Sequence, residues 1–457
     1  VNRIPMLEPT NSQEAKDFVG IALDLSERFD TPVLLRATTR VCHSQSLVDT
    51  KERVEKQVPA YAKDPQKYVM LPAFARLRRL KVEERINALK EYADQCELNE
   101  IQWGDKKIGI IASGIAYQYA KEAVPYASFL KLGLTNPLPM KMIKDFVEKV
   151  DKLYVVEELS PFIEDQLKSW GIEVIGREIF SGIGELSVSQ IKEKILGIKS
   201  ENPISLNVNV PMRPPVLCPG CPHRGVFYTL KKLNLIVSGD IGCYTLGALE
   251  PLSAMDTTIC MGASIGVALG MEKANPELSK KLVAVIGDST FFHSGITPLI
   301  DVVYNQTNTT TIILDNRTTA MTGHQDNPGT GKTLQGSDTN MVDLEQLVKA
   351  IGIRRVAVVD PLDLEQFEQA VKAELMADEP SVIIAKRPCV LLPTTEDNKR
   401  TYYVSEKCIG CKQCINLSCP AIHVISNGKV EIDQTLCNGC GVCAQVCPVG
   451  AFTMEVK

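Results

Sequence analysis

The chain has no excess of either charge, no long apolar run and no secretory opening, and each absence removes a class of function. Its 457 residues carry 50 basic against 55 acidic side chains, which leaves no basic footprint for nucleic acid. No stretch of roughly 18 apolar residues occurs, so no membrane-spanning helix is expected. No signal peptide opens the chain, so its 15 cysteines read as metal thiolates in a reducing cytoplasm rather than as disulfides. The strand-to-turn step at Ser113-Gly114 lacks the Gly-x-Gly-x-x-Gly pattern, so no nicotinamide site is expected there. The first residue is Val1 rather than Met, in a loop leading straight into a helix, and we expect an N-terminal part of the gene product to precede it.

What is present is organised around Lys281 to Gln325. An apolar run of strand type, Leu282 to Ile286, ends in Gly287, Asp288 and Ser289, and a second, Thr310 to Leu314, ends in Asp315 and Asn316. A strand, a helical crossover and a parallel strand would bring both ends to one crevice. There Asp288 offers a carboxylate oxygen, Asn316 an amide oxygen and Thr318 a backbone carbonyl, a hard-oxygen set with room for diphosphate and water, as magnesium prefers. The spacing resembles the thiamine diphosphate signature, a Gly-Asp-Ser/Gly turn closed by Asn. Alone, Gly-Asp-Ser is a strand-to-loop turn. Upstream, Cys260 to Gly266 reads as a small-residue helix start. The N–H groups at Gly262 and Ser264 could take phosphate oxygens, and close helix packing explains the same residues equally well.

Before this region, the pattern predicts a helix from Ser12 to about Glu27 and a short buried strand from Pro32 to Arg36. Arg36, Thr38, Thr39, Arg40 and His43 then form a donor cluster that could face an anion or simply be solvated. Cys42 is expected to be buried. Thr50 to Gln102 is charge-rich and reads as a long amphipathic linker helix. From Lys107, strands at Ile108 to Ser113, Phe129 to Leu132, Leu153 to Val156 and Glu173 to Ile175 alternate with helices at Ala116 to Ala123 and Met140 to Val150. That alternation predicts a small doubly wound domain. Glu157 and Glu158 could act as acid or base, although exposed carboxylates are the commoner case.

Cysteines dominate the rest. Cys408, Cys411, Cys414 and Cys419-Pro420 recur, offset by 29 residues at the first three positions, as Cys437, Cys440, Cys443 and Cys447-Pro448. Three thiolates from each short loop and the distant Cys before proline of the other repeat are the ferredoxin array. One 4Fe-4S cluster is therefore expected on Cys408, Cys411, Cys414 and Cys447, and a second on Cys437, Cys440, Cys443 and Cys419. The alternative is a pair of zinc knuckles. Cys414 and Cys419 are separated by four residues rather than the usual three, a looser loop with its ligand kept. Between the repeats, Val424 to Ile432 reads as a hairpin with a two-residue Asn427-Gly428 turn. Cys218, Cys221, Cys243 and Cys389 could converge on a third cluster beside the cofactor, where Cys-x-x-Cys also fits zinc or free thiols.

Together these parts define a chemistry. Thiamine diphosphate removes carbon dioxide from 2-oxo acids and leaves a strongly reducing fragment, and one-electron acceptors beside it favour oxidation over simple decarboxylation. A pure electron carrier would not need Asp288 and Asn316. A non-oxidative decarboxylase would not need the tail.

Arg36-Ala-Thr-Thr-Arg-Val-Cys-His43, Leu217-Cys-Pro-Gly-Cys-Pro-His-Arg224, Gly287-Asp-Ser with Asp315 to Gln325, and the tail closely resemble the large (alpha) subunits of indolepyruvate:ferredoxin oxidoreductases, within the 2-oxo acid:ferredoxin oxidoreductase superfamily. The resemblance runs through the whole chain. It implies an α/β fold of thiamine diphosphate-binding doubly wound domains plus a C-terminal two-cluster bacterial-type ferredoxin domain. It further implies that an arylpyruvate, CoA and oxidised ferredoxin give an aryl-acetyl-CoA, carbon dioxide and reduced ferredoxin, with a smaller beta subunit, in anaerobes degrading aromatic amino acids. Pyruvate or a branched-chain 2-oxo acid is the nearest rival substrate. The magnesium ligands would fall on Asp288, Asn316 and the Thr318 carbonyl, with Gly262, Ser264, Gly287 and Ser289 also at the cofactor. The activating glutamate of the family lies in an N-terminal domain, so its residue is not assigned here. The expected division is 1–60, the end of the pyrimidine-side domain; 61–104, a helical linker; 105–200, a small doubly wound domain; 201–216, a Pro-rich linker; 217–395, the diphosphate-side domain; and 400–457, the ferredoxin-like domain. His223, His293 and His324 are candidates for proton transfer or for purely structural roles.

Overall fold

The computed structural model describes residues 3–55, 60–199, 214–393 and 400–456. They form two compact units, Val1–Asn209 and Val210–Lys457. The Pro-rich stretch at 201–213 lies outside the described residues.

In the first unit, β1 (Met6–Leu7) precedes a helix, Ser12–Phe29, that starts where Asn11 accepts the Glu14 N–H at 2.9 Å. That bond satisfies one of the helix's orphan donors. Phe18 and Leu25 carry its buried stripe. There follow β2 (Leu34–Leu35), a helix at Pro72–Ala93, β3 (Asn99–Gln102), β4 (Asp105–Ser113), β5 (Ala127–Leu132), β6 (Leu134–Asn136) and β7 (Leu153–Val156). One sheet has the order β3-β5-β4-β7 and a smaller one β2-β1-β6. Helices Gly114–Ala123 and Val188–Leu196 pack on one face of the larger sheet and Met140–Val147 and Phe162–Ser169 on the other, which is double winding.

The expected division of this unit changes in two places. The linker helix expected from Thr50 to Gln102 is a short turn at Pro65–Tyr68 and a long helix only from Pro72 to Ala93, and Asn99 to Gln102 pairs antiparallel with β5. The helix stops at Ala93 because the Asn99 side chain donates to the Ala93 carbonyl at 3.0 Å and accepts N–H groups from Gly133 and Leu134. The segments expected as 1–60 and 105–200 are also joined, through β6 pairing with β1. Glu173 to Ile175, expected as a strand, makes only an isolated bridge from Ile175 to Tyr154. Cys42 is exposed, not buried.

In the second unit, β8 (Ile236–Ser238), β9 (Leu282–Gly287), β10 (Thr310–Asp315), β11 (Arg355–Val359) and β12 (Ser381–Lys386) form one parallel sheet of order β11-β12-β10-β9-β8. Every residue of β9 and β10 is buried, as expected where helices cover both faces of a parallel sheet. Val283, Val285 and Ile312 pack against Phe227 and Phe367, from helices His223–Lys232 and Leu364–Leu375. Leu282, Ala284 and Ile286 pack on the opposite face against Ile265, Leu299 and Val348, from helices Ala263–Ala274, Ile296–Tyr304 and Leu344–Ile351.

Among the described residues the tail has two small sheets, β13 (Arg400–Val404) with β16 (Phe452–Val456) and β14 (Ile422–Val424) with β15 (Val430–Ile432). The hairpin turn is not the two-residue type. Ile425 N–H donates to the Lys429 carbonyl at 3.0 Å, leaving Ser426, Asn427 and Gly428 as a three-residue loop with Gly428 at φ +81°. Glycine takes that left-handed position at the least cost. The tail docks on the sheet domain through Gln445, which donates to the Leu362 carbonyl at 2.7 Å and accepts the Leu364 N–H at 3.0 Å. Among the described residues no helix is long and apolar enough to cross a membrane.

Candidate active site

The register of β9 on β10 sets Gly287 beside Leu314, so the chain leaves both strands at the same edge and Asp288 meets Asn316. Both are buried, and with Gly287, Ser289 and Thr318 they line a cavity of about 100 Å³. The Asp288 carboxylate accepts N–H groups from Ser289 at 2.8 Å and Arg317 at 3.1 Å. The Asn316 amide oxygen accepts the Thr318 N–H at 3.2 Å. Arg317 turns the chain with φ +61°, and its guanidinium goes to Asp315 at 3.3 Å rather than to Asp288. Burial, reinforced by Asp315, pushes the Asp288 carboxyl up to about 7. A buried carboxylate short of positive charge, an amide oxygen and an orphaned Thr318 hydroxyl together fit a hard divalent cation.

One expectation at this site is corrected. Gly262 and Ser264 do not present free N–H groups at the helix start. The wholly buried Asp240 carboxylate accepts Gly262 N–H at 2.8 and 3.0 Å and Ser264 N–H at 3.1 Å, so an internal anion already occupies that terminus. His223 lines the cavity, edge-on to Tyr244 at 5.8 Å. Burial pulls its pKa down to about 4, so it is neutral near pH 7. His293 and His324 are exposed.

Twelve of the 15 cysteines fall into three groups. Cys389 donates its N–H to the Asn316 carbonyl at 2.9 Å, and Cys243 lines the same cavity as Asp288. Burial and then the neighbouring Cys218 and Cys389 push the Cys221 thiol up to about 12, and burial followed by the same neighbours raises Cys243. In the tail, a cavity of about 30 Å³ is lined by Cys419, Cys437, Cys440 and Cys443, and one of about 10 Å³ by Cys408, Cys411, Cys414 and Cys447. Backbone N–H groups of Tyr402 and Ala451 donate to the Cys437 and Cys447 sulfurs at 3.4 and 3.3 Å. Among the described residues no three His, Cys, Asp or Glu side chains stand close enough to hold a single metal ion. A four-iron cube asks for wider spacing than one ion does, and the donor set is the thiolate set such cubes take.

In the first unit, the donor cluster is largely committed. Arg36 pairs with the buried Glu8 at 2.9 Å, and Arg40 is bonded to Glu185. Glu8 also accepts from Ser113 at 3.1 Å and Thr135 at 3.2 Å, a buried carboxylate that periodicity does not reveal. Glu157 is buried and accepts the N–H groups of Ile163 and Glu164 at 2.9 and 3.0 Å. It caps a helix, which offsets part of the upward pKa shift that burial imposes.

Comparison with known proteins places this geometry. Residues 240–385 match the model for "Thiamine pyrophosphate enzyme, C-terminal TPP binding domain" and residues 430–453 that for "4Fe-4S binding domain". The fold and site thus define an oxidoreductase in which a thiamine diphosphate domain is joined to an iron-sulfur tail. The chain is 39% identical to the indolepyruvate oxidoreductase subunit IorA of Archaeoglobus fulgidus over 98% of its own length and 76% of that protein's. It is also 39% identical to the subunit of that name from Pyrococcus horikoshii, over 98% and 77%. The chain belongs to the family of these IorA subunits. The tail alone is 48% identical, over 11% of this chain and 58% of the relative, to pyruvate synthase subunit PorD of Methanothermobacter marburgensis.

Proposed function

We propose that this chain is the large subunit of an arylpyruvate oxidoreductase. It converts indolepyruvate or a related arylpyruvate, with CoA, to the aryl-acetyl-CoA and carbon dioxide, and passes two electrons singly to ferredoxin. It works with a smaller beta subunit in a reducing cytoplasm. One observation carries the reading: Cys243 lines the Asp288 cavity and Cys389 is bonded to Asn316, so the cofactor site and a set of thiols share one wall. When bound, thiamine diphosphate supplies the electron sink for loss of carbon dioxide. Asp288, the Asn316 amide oxygen and the Thr318 carbonyl hold its magnesium, and Gly287 and Ser289 bound the diphosphate. The burial that raises the Asp288 carboxyl strengthens its hold on a cation once the proton has left. Cys218, Cys221, Cys243 and Cys389 hold the first 4Fe-4S cluster. The sets Cys419, Cys437, Cys440, Cys443 and Cys408, Cys411, Cys414, Cys447 hold the second and third. The arylpyruvate preference is supported by the names of the relatives matched along 98% of this chain. The PorD likeness covers only the tail and bears on electron transfer, not on substrate.

Anaerobic EPR of the full-length gene product with its partner subunit, thiamine diphosphate, magnesium and CoA tests this. Reduced-cluster signals should appear on adding indolepyruvate and be weaker with pyruvate. Clusters reducible by dithionite but silent to every 2-oxo acid would overturn the reading.

A further inference from the structure

Arg224, 3% exposed, is the second residue of the helix that follows Cys218 and Cys221. Its guanidinium reaches two separate segments. Nε donates to the Cys218 carbonyl at 3.0 Å and Nη2 to that of Leu217; Nη1 donates to the carbonyls of Leu417 at 2.8 Å and Ser418. Leu417 and Ser418 lie in the Cys414 to Cys419 loop, where the tail carries one residue beyond the usual ferredoxin spacing and Ser418 sits at φ +57°. That lengthened loop is what turns two carbonyls toward the guanidinium.

Among the described residues these four bonds all go to main-chain carbonyls, so geometry is satisfied and charge is not. Arg224 and Cys221 line the same cavity as Cys419, Cys437, Cys440 and Cys443. Burial works against the guanidinium's charge, and the groups that would favour it once ionised are Cys419, Cys221, Cys440 and Cys218. Two come from each cysteine set. A cluster becomes more negative when reduced, and a buried cation nearby stabilises that state far more than a solvated one would.

We propose that Arg224 is a positioning residue shared by two cluster sites: its guanidinium clamps the Cys419 loop to the Cys218 loop and raises the reduction potential of both clusters, leaving the Cys408 set unaffected. The inference rests on the cluster assignment above. Its consequence is that the two clusters nearest the cofactor are matched to each other by one charge, so that an electron crosses between them without a large uphill step.

The experiment is an EPR-monitored redox titration of the whole enzyme with its partner subunit, comparing the wild type with Arg224→Met, Arg224→Lys and Asn438→Ala. Asn438 donates to the Pro219 carbonyl at 2.9 Å across the same contact and carries no charge. In Arg224→Met, the reduced-to-oxidised ratio of two clusters at fixed potential should fall at least tenfold, 59 mV for one electron, while the third cluster stays unchanged. Arg224→Lys and Asn438→Ala should stay within threefold of wild type. If Arg224→Met fails to assemble, Arg224→Lys decides, because a tenfold fall with the charge retained and all clusters present would overturn the proposal. An equal shift in Asn438→Ala, or unshifted potentials in an iron-replete Arg224→Met, would overturn it as well. Loss of only this proposal is distinguishable from loss of the assignment: a wild-type protein without a signal from the Cys218 set would remove both.

Discussion

The five-stranded sheet and the cysteine-rich tail belong to one compact unit, yet different forces hold them. In the sheet, β9 and the middle of β10 pack apolar side chains on both faces beneath helices, and the buried Thr310 hydroxyl accepts from Ser381 at 3.1 Å, so burial accounts for most of the order. In the tail, the buried cluster counts Cys408, Cys414 and Cys443 among its members and takes in Leu362 and Leu364 from the sheet domain. Two-stranded sheets of this size are marginal by themselves. The comparison teaches that the sheet can present a preformed cofactor cavity, whereas the tail is expected to fold only to the extent that its thiolates are ligated.

Removing iron should break the comparison most visibly. Anaerobic chelation, or Cys440→Ser, is expected to abolish hydrogen-exchange protection in β13 to β16 while β9 and β10 keep theirs. Protection that survives iron removal in the tail would show that apolar contacts suffice there. The converse test is Phe367→Ala, which empties a fully buried site beneath the sheet. It should cost about 3–5 kcal/mol of sheet-domain stability, read as a lowered denaturation midpoint, with the iron content per chain unchanged. A loss of iron in step with the sheet would mean the two regions do not fold separately.

A third test touches only the cavity. Asp288→Asn removes the carboxylate from the proposed magnesium site and should weaken magnesium-dependent thiamine diphosphate binding by roughly 100-fold, about 2.7 kcal/mol, measured by calorimetry. Cluster EPR on dithionite reduction should be unaffected. A variant that binds the cofactor normally would remove Asp288 from the site.

What could be read in the sequence follows the same division. The strand ends at Asp288 and Asn316 and the cysteine spacings were legible because each is a local pattern: an apolar run that stops, or ligands a fixed distance apart. The occupation of the Gly262 helix terminus was not, since the carboxylate that fills it, Asp240, lies 22 residues away in the chain and nothing in a small-residue helix start says which anion will come. Glu157 reads as an exposed acid until the helix that begins at Phe162 folds back over it. The role of Arg224 is least legible of all, because the Leu417 carbonyl it reaches is 193 residues further on.

The smallest effect isolates backbone strain in the tail from its ligands. Gly428 holds φ +81° in the three-residue loop between β14 and β15, and a Cβ built there meets nothing within 4 Å. Gly428→Ala therefore adds no clash, only the cost of a left-handed alanine, about 1 kcal/mol. Gly428→Asn should cost less, since asparagine tolerates that region. Gly225 in the sheet domain is the contrast, because a Cβ there would meet the Pro361 carbonyl oxygen at 1.8 Å. In the iron-loaded protein the wild type and the two Gly428 variants should rank glycine, asparagine, alanine in the midpoint at which the tail releases iron on heating. Gly225→Ala, by contrast, should disturb the contact between the helix at His223–Lys232 and Pro361. If Gly428→Ala and Gly428→Asn are indistinguishable, the hairpin is not under conformational selection at this position, and the ligands alone set the tail's stability.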